Sequence, residues 1–393
     1  MLIEIHMLQN HAPSNLNRDD TGSPKECTFG GIKRGRISSQ CIKRSIRRSA
    51  VFAEELGHCK LATRTRRLPL LVKEKLIAAG LSGELAAIAA EKATGFGNKE
   101  GKTSGNERTK QTMFLTEHDI DALVTVLKTA AEEAGTPAKL KKVSAKDLQK
   151  AAELGGWRPI TVDMALFGRM ITSPAFTDVE ASMQVAHAIS TNRIDHEFDY
   201  FTAADDLQGV DEDDDEAGAD MIGDVEFNSA CYYKYFTLDT DAFIANLARH
   251  APGEAETEAR RAAAAAIPAF VKAAIFTSPS GKQNTFAAHQ LPDAILIEVR
   301  PHKTPVSYAN AFVKPALANG SADLVDDSIQ KFVQHADTIT RKFSLKTMKR
   351  LWFSTRDQKL ASTEEAAVTE CETVDDLLNA LRALLPGGEA SDV

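Results

Sequence analysis

The sequence predicts an α+β fold, and three observations carry that expectation. Residues 2–9 alternate apolar and polar side chains as a strand does, and residues 293–299 form an apolar strand. Residues 51–93, 117–134 and 241–275 carry helical patterning instead. Between Phe29 and Arg48 the chain passes from strand grammar to helix grammar while reversing the sign of its charge.

In the first strand, Ile3, Ile5 and Met7 alternate with Glu4 and His6, the pattern of a half-buried strand. Residues 10–24 are a polar loop dense in turn formers, bordered by Arg18 and Lys25. A loop of that length ahead of a charged element is expected to be functional. Within it, Asp19 and Asp20 could act as acid or base on RNA or could stabilise a turn through their side chains; the turn role is the stronger reading.

The basic stretch follows. Seven cations lie between Lys33 and Arg48 (Lys33, Arg34, Arg36, Lys43, Arg44, Arg47 and Arg48) with no acidic residue among them. Gly30 and Gly31 break the chain, Ile32–Ile37 reads as a short strand, and Ser38-Ser39 offers an N-cap for a helix beginning near Gln40. Ile42, Ile46, Ala53 and Leu56 are spaced as its inward stripe, leaving Gln40, Lys43, Arg44, Arg47 and Arg48 outside it. An anonymous basic helix is often a solvated face. Here Arg34 and Arg36 add charge at period two on the preceding strand, and a helix start offers N–H groups to anions. Together these predict a track for a polyanion, with nucleic acid the expected one.

Beyond it, residues 95–110 form a Gly-rich polar loop, expected to be mobile. Gly97 to Thr103 fails as a phosphate-binding loop because three residues, not four, separate its glycines and a helix precedes it. A strand is expected at 111–115 and helices at 117–134 and 145–154. Lys139, Lys141, Lys142, Lys146 and Lys150 cluster there, either as a solvated face or as point charges along a duplex backbone. Residues 160–170 read as a buried strand ending at Gly168, and 179–191 as a helix. Two arms around residues 200 and 224 form a protruding hairpin with an acidic run at its tip. Lys282 lies in a later loop. Further helices are expected near 321–340 and 374–384.

Composition narrows the classes. The 393 residues carry a net charge of −8; without the six acidic residues 211–216 the remainder stands at −2, which argues against indiscriminate coating of DNA. Five cysteines (27, 41, 59, 231 and 371) with no Cys-x-x-Cys fit a reduced cytoplasm better than a disulfide framework or zinc site. The N-terminus lacks the pattern of a signal peptide, and no apolar run is long enough to span a bilayer, so no membrane partner is expected. His187, Asp195, His196, Glu197, Asp199, Asp205 and Asp206 are metal-ligand types, but their spacing matches no metal signature. With no nucleophile elbow and no recognisable Cys–His pair, binding is expected over catalysis, without metal or cofactor.

Several blocks then carry a resemblance: Met7-Leu-Gln-Asn-His-Ala-Pro-Ser-Asn-Leu-Asn-Arg-Asp-Asp-Thr-Gly, the basic stretch from Phe29, Ala165-Leu-Phe-Gly-Arg-Met, Asp199-Tyr-Phe-Thr-Ala-Ala-Asp-Asp-Leu, Met221-Ile-Gly-Asp-Val-Glu-Phe-Asn-Ser and Gly281-Lys-Gln-Asn-Thr-Phe-Ala-Ala-His. In this order they resemble the CasC (Cse-type) family, the backbone subunit of Cascade, the type I-E CRISPR surveillance complex. Residues 55–155 and the acidic run match weakly. The resemblance implies a ferredoxin-like (RRM-type) palm from 1–55 and 156–385, helical fingers inserted at 56–155, a thumb hairpin at 193–226 and a disordered tail at 386–393. It implies a non-catalytic protein whose copies stack along one CRISPR RNA with other Cascade subunits and present the guide to target DNA. Phosphates would be held by Lys25, Ser38, Gln40, Lys43 and Arg47, with Arg18, Arg34, Arg36 and Arg44 nearby. Phe201, Thr202 and Ile222 of the thumb would reach between bases, with Met170 beside a displaced nucleotide. Lys139, Lys141, Lys142 and Lys146 would match a stripe guiding duplex DNA. The acidic run departs from this scheme, because it would repel phosphate and must point away from the RNA.

Overall fold

The computed structural model describes residues 1–393 except 58, 106, 152–153, 155, 157, 204–220, 250–253, 364–365 and 387–393. The acidic run and nearly all of the expected tail therefore lie outside the described residues. The strands in chain order are β1 (Leu2–Ser14), β2 (Glu26–Phe29), β3 (Ile32–Ile37), β4 (Thr63–Thr65), β5 (Met113–Leu115), β6 (Met183–Val185), β7 (Ala188–Ser190), β8 (Glu197–Ala203), β9 (Met221–Asp239), β10 (Ala294–Arg300), β11 (Lys349–Ser354) and β12 (Val368–Glu370). Long helices accompany a mostly antiparallel sheet, so the class is α+β. The chain divides into two compact units, one of residues 1–55, 184–239 and 267–393, the other of 56–183 and 240–266.

The first unit is built on the sheet β12-β11-β10-β1-β9-β7-β3-β2, with β6 and β8 also paired to β9. β1 is central: Leu2 to Leu8 pair with Arg300 to Ala294 on one side, and Leu2 to His11 with Asp239 to Ala230 on the other. It is not half-buried as expected. Glu4 and His6 are as inaccessible as Ile3 and Ile5, because the polar face of β1 also lies inside the protein. There Glu4 pairs with Arg300 at 2.6 Å, and Glu298 pairs with Arg300 at 2.6 Å and Arg350 at 3.0 Å. Tyr308 donates its hydroxyl to Glu298 at 2.9 Å. Buried ionised groups are tolerated only when paired and hydrogen-bonded in this way. Helix Leu324–Lys342, opened by an Asp323 capping box, places Ile329 and Phe332 in the apolar cluster around Leu8, Tyr233, Leu296 and Trp352.

In the second unit, helices Leu68–Ala78, Gly83–Ala93 and Glu117–Ala134 pack Val72, Leu76, Ala89, Leu123 and Leu127 about Phe96. Residues 156–183, assigned from sequence to the other body, belong to this unit: Ala175 and Phe176 join its core, and Arg158 and Arg169 bind Asp119 at 2.9 and 2.5 Å. Asp119 also closes a capping box with Thr116. Burial alone would raise its pKa, but the Arg169 charge and the bonds from Thr116 and Arg158 hold it below the ordinary carboxylate range.

Two expected elements are exchanged. Residues 160–170 contain a helix, Val162–Phe167, in place of a strand. Its apolar run is buried on every side, so periodicity could not separate it from a buried strand; the Thr161 hydroxyl, donating to Asp163 Oδ1 at 2.6 Å, marks the helix start. Residues 179–191 contain β6 and β7 in place of a helix, because pairing of β7 with β3 and β9 overrides local propensity. Among the described residues of the helix expected at 145–154, the α-helix is Ala145–Leu148.

Candidate nucleic-acid interface

Helix α1 spans Ser39–Arg47 and begins where the sequence placed it. Ser38 accepts the Cys41 N–H on Oγ at 3.3 Å, and its own N–H donates to Asn17 Oδ1 at 2.8 Å. It is thus a buried N-cap at the mouth of the helix. Ile42 and Ile46 anchor the inner face, each burial worth about 1.5–3 kcal/mol. Gln40, Lys43, Arg44 and Arg47, at i, i+3, i+4 and i+7, share another face. Gln40 and Arg44 are exposed; Lys43 and Arg47 are partly so. The inward stripe does not run on to Ala53 as expected. The chain breaks after Arg47, and the next helix, Ala50–Glu55, buries Phe52 and turns Ala53 outward.

Arg34 requires a larger correction. It is 0 % exposed, and its guanidinium donates to the Thr191 and Phe312 carbonyls at 2.6 Å each and to Ser190 and Val313 at 3.3 Å. Carbonyls converging where β7 ends need a multi-donor cation to satisfy them, and Arg34 fills that need inside the unit. It is a structural residue and adds nothing to a surface track.

Arg36, two residues on, reaches outward. Its Nε donates to the Glu26 carbonyl at 3.2 Å, and its Nη1 lies 3.4 Å from His187 Nδ1. The same Nδ1 accepts the Ser39 N–H at 3.3 Å, so the neutral imidazole joins the end of β3 to the start of α1. Burial, and then the positive charges of Arg36 and Lys25, hold His187 below the ordinary histidine range. Lys25 is tied in through its backbone: its N–H donates to Asn17 O and its carbonyl accepts from Arg36, both at 2.8 Å. Lys25, Arg36, the start of α1 and its cationic face thus form one positive surface. Arg18 is exposed on the adjoining loop. Asp19 serves its own turn, accepting from Thr21 N, Thr21 Oγ1 and Ser23 N at 2.8–3.0 Å, and the Thr21 bond draws its pKa down.

The expected hairpin is present in its arms. β8 pairs with the start of β9, setting Phe201 opposite Gly223 and Thr202 opposite Ile222. A side chain at Gly223 would collide with the Phe201 ring at 2.5 Å, so the glycine fixes that ring against its own hairpin. Phe201 remains 40 % exposed. At the hairpin root, His196 lies 2.8 Å from Glu26 and also pairs with Glu226, while Asn15 donates to the Glu226 carbonyl at 2.8 Å. These bonds fasten the hairpin to the loop that carries Arg18. Sequence reasoning missed Phe198 and Tyr200, which are 63 % and 64 % exposed. Two aromatics at period two on a strand with no apolar partner were the available signal. It also read His187 as a ligand type and missed its place between the cations.

The second unit carries the remaining candidates. Met170 is 94 % exposed, an unusual position for a thioether. Its neighbour Arg169 is buried against Asp119, and reciprocal 2.8 Å backbone bonds with Val179 hold the segment. Lys139, Lys141, Lys142, Lys146 and Lys150 are all exposed on or beside the short helices Pro137–Lys142 and Ala145–Leu148, which Leu140 anchors. Among the described residues no helix is long and apolar enough to cross a membrane.

The fold is that of Cascade-type surveillance-complex subunits. A chain of a "CRISPR RNA-guided surveillance complex, pre-nicking" matches at TM-score 0.78 and 26% identity, covering 98% of this chain and 99% of that one. A chain of a second "CRISPR RNA-guided surveillance complex" matches over the same shares at TM-score 0.69 and 22% identity, a likeness of fold alone. The model of the CT1975-like protein family (Cas_CT1975) matches residues 3–380, and the chain belongs to that family. The comparison with curated proteins gives no match. The resemblance seen in the sequence blocks is thereby shown.

Proposed function

We propose that this chain is a non-catalytic backbone subunit of a type I-E Cascade, copies of which stack along one CRISPR RNA and present it for pairing with target DNA. The observation that carries the reading is the single positive surface of Lys25, Arg36, Gln40, Lys43, Arg44 and Arg47, built on a helix whose other face is locked inside. A guide must be gripped by its phosphates so that its base edges stay available, and cations on a rigid strand–helix junction supply that grip without reading sequence. In this reading the sheet of the first unit is an RRM-type palm and the β8–β9 hairpin is a thumb. The braced Phe201, with Thr202 and Ile222 in the adjacent pair, acts as the wedge that replaces lost base stacking. Met170 serves beside the displaced nucleotide, and Lys139, Lys141, Lys142 and Lys146 serve as point charges toward duplex DNA.

Lys43→Ala with Arg47→Ala is expected to weaken binding equally for guides of different sequence. The slope of log K against log salt should flatten by about 1.4 for two lost single-strand contacts. Fluorescence anisotropy over a salt series reads both, and a loss confined to particular guide sequences contradicts the proposal. His187 gives an independent check. In the protein alone its pKa is depressed, and a phosphate bound beside it raises that pKa, so binding takes up a proton. RNA affinity is then expected to rise as pH falls from 7.5 toward 5.5, and His187→Gln to remove that rise.

A further inference from the structure

The Gly-rich loop that failed as a phosphate-binding motif is tied by hydrogen bonds at several residues, with a groove of about 1040 Å³ beside it. Gln149 donates to the Gly95 and Asn98 carbonyls at 2.8 and 2.9 Å. Asn98 exchanges two bonds with the Lys102 backbone, at 2.9 and 3.0 Å. Gly101, at φ +68°, lies so close to the Lys146 backbone that a Cβ would stand 2.7 Å from it, so the groove wall depends on glycine there. Five cations, Arg66, Lys99, Lys102, Arg108 and Lys110, line the groove against two carboxylates, Glu100 and Glu107, and all seven are exposed. Lys102 bonds Glu100 at 2.5 Å, and that bond, with the charges of Lys110 and Lys146, lowers the pKa of the carboxyl.

The proposed guide track leaves this charge unused, and the chain holds a complementary segment. Residues 204–220, which join β8 to β9, contain nine acidic residues and no basic one, six of them consecutive from Asp211 to Glu216. A volume of this size suits a short peptide segment, whereas a duplex backbone needs an extended row of phosphate contacts. We propose that this groove receives the 211–216 run of a second copy of the chain. The inference rests on the stacked-backbone reading above: each copy offers one acidic segment and one basic groove, so contacts repeat head to tail as an open filament requires. A peptide carboxylate docked there keeps the run away from the guide and fixes the spacing of successive copies.

The test uses full-length protein and two readouts. A labelled peptide of residues 204–220 is expected to bind, and the same peptide with residues 211–216 changed to Asn and Gln is not. Lys99→Glu, Lys102→Glu and Lys110→Glu together should weaken peptide binding by about tenfold or more, since like charges then face each other. Carbodiimide cross-linking of mixed isotope-labelled and unlabelled protein, assembled on a guide-length RNA, is expected to join groove lysines to 211–216 between copies. Cross-links confined to one copy, equal binding of the neutralised peptide, or groove reversal that removes duplex DNA binding while sparing peptide binding would each overturn the proposal. Peptide binding needs no RNA, so a failure of the guide-binding reading shows separately, as RNA affinity unaffected by the α1 substitutions.

Discussion

Glu298→Gln is expected to destabilise the first unit by about 3–5 kcal/mol, the range for breaking a buried ion pair while its cations remain. The carboxylate is wholly inaccessible, and both of its oxygens are engaged: Oε1 by Arg350, Oε2 by Arg300 and the Tyr308 hydroxyl. Burial alone would raise the Glu298 pKa, but the His6 ring, 3.7 Å from its Oε2, and the charges of Arg300 and Arg350 hold it far below the carboxylate range. The sign for pH follows. A depressed folded pKa contributes stability that is fully present above the unfolded value of about 4.3 and is lost as pH falls toward the folded one. The wild-type protein should therefore weaken progressively below pH 5, and the variant should lose that part of its acid sensitivity along with its stability at neutral pH. Denaturant unfolding at pH 7 and pH 4 checks both, followed through the buried Trp352 in a Trp157→Phe background. Equal stabilities at pH 7 would show that the network contributes nothing net.

This network also marks where the sequence was legible and where it was not. Strand β1 and helix Glu117–Ala134 were legible because alternation and helical patterning are local signals. That both faces of β1 are buried was not. Glu4 and His6 read as solvent-facing until their partners, some 300 residues away, are brought alongside by β10 and by the segment around Tyr308. The same reason accounts for residues 179–191, whose strands exist because β3 and β9 supply the pairing. In the candidate site, the Ser38 cap and the Gln40, Lys43, Arg44 and Arg47 face followed from helical spacing. The position of His187, 148 residues from Ser39, did not. Charge pattern located the surface; long-range contacts determined which charges reach it.

Arg34 and Arg36 separate these two levels in one experiment. Arg34→Ala is expected to cost on the order of 3–5 kcal/mol, because four buried or partly buried carbonyls lose a charged donor and the side-chain volume is left empty. Arg34→Lys should rescue little, since one ammonium cannot reach the span that a guanidinium fork bridges. Arg36→Ala should change stability by no more than about 0.5 kcal/mol, as at most half-exposed positions, while lowering the RNA salt slope by about 0.7. Thermal unfolding and RNA titration on both variants give four numbers, and the proposal requires them to cross. An Arg34 variant that stays folded at 25 °C should bind RNA like the parent, and a stable Arg36 variant should not. If the two arginines behaved alike in RNA binding, charge density alone would explain the affinity. A crossing result shows that cations reach the guide through the geometry in which β3 hands over to α1, with one arginine holding the junction from inside and the next facing the phosphate.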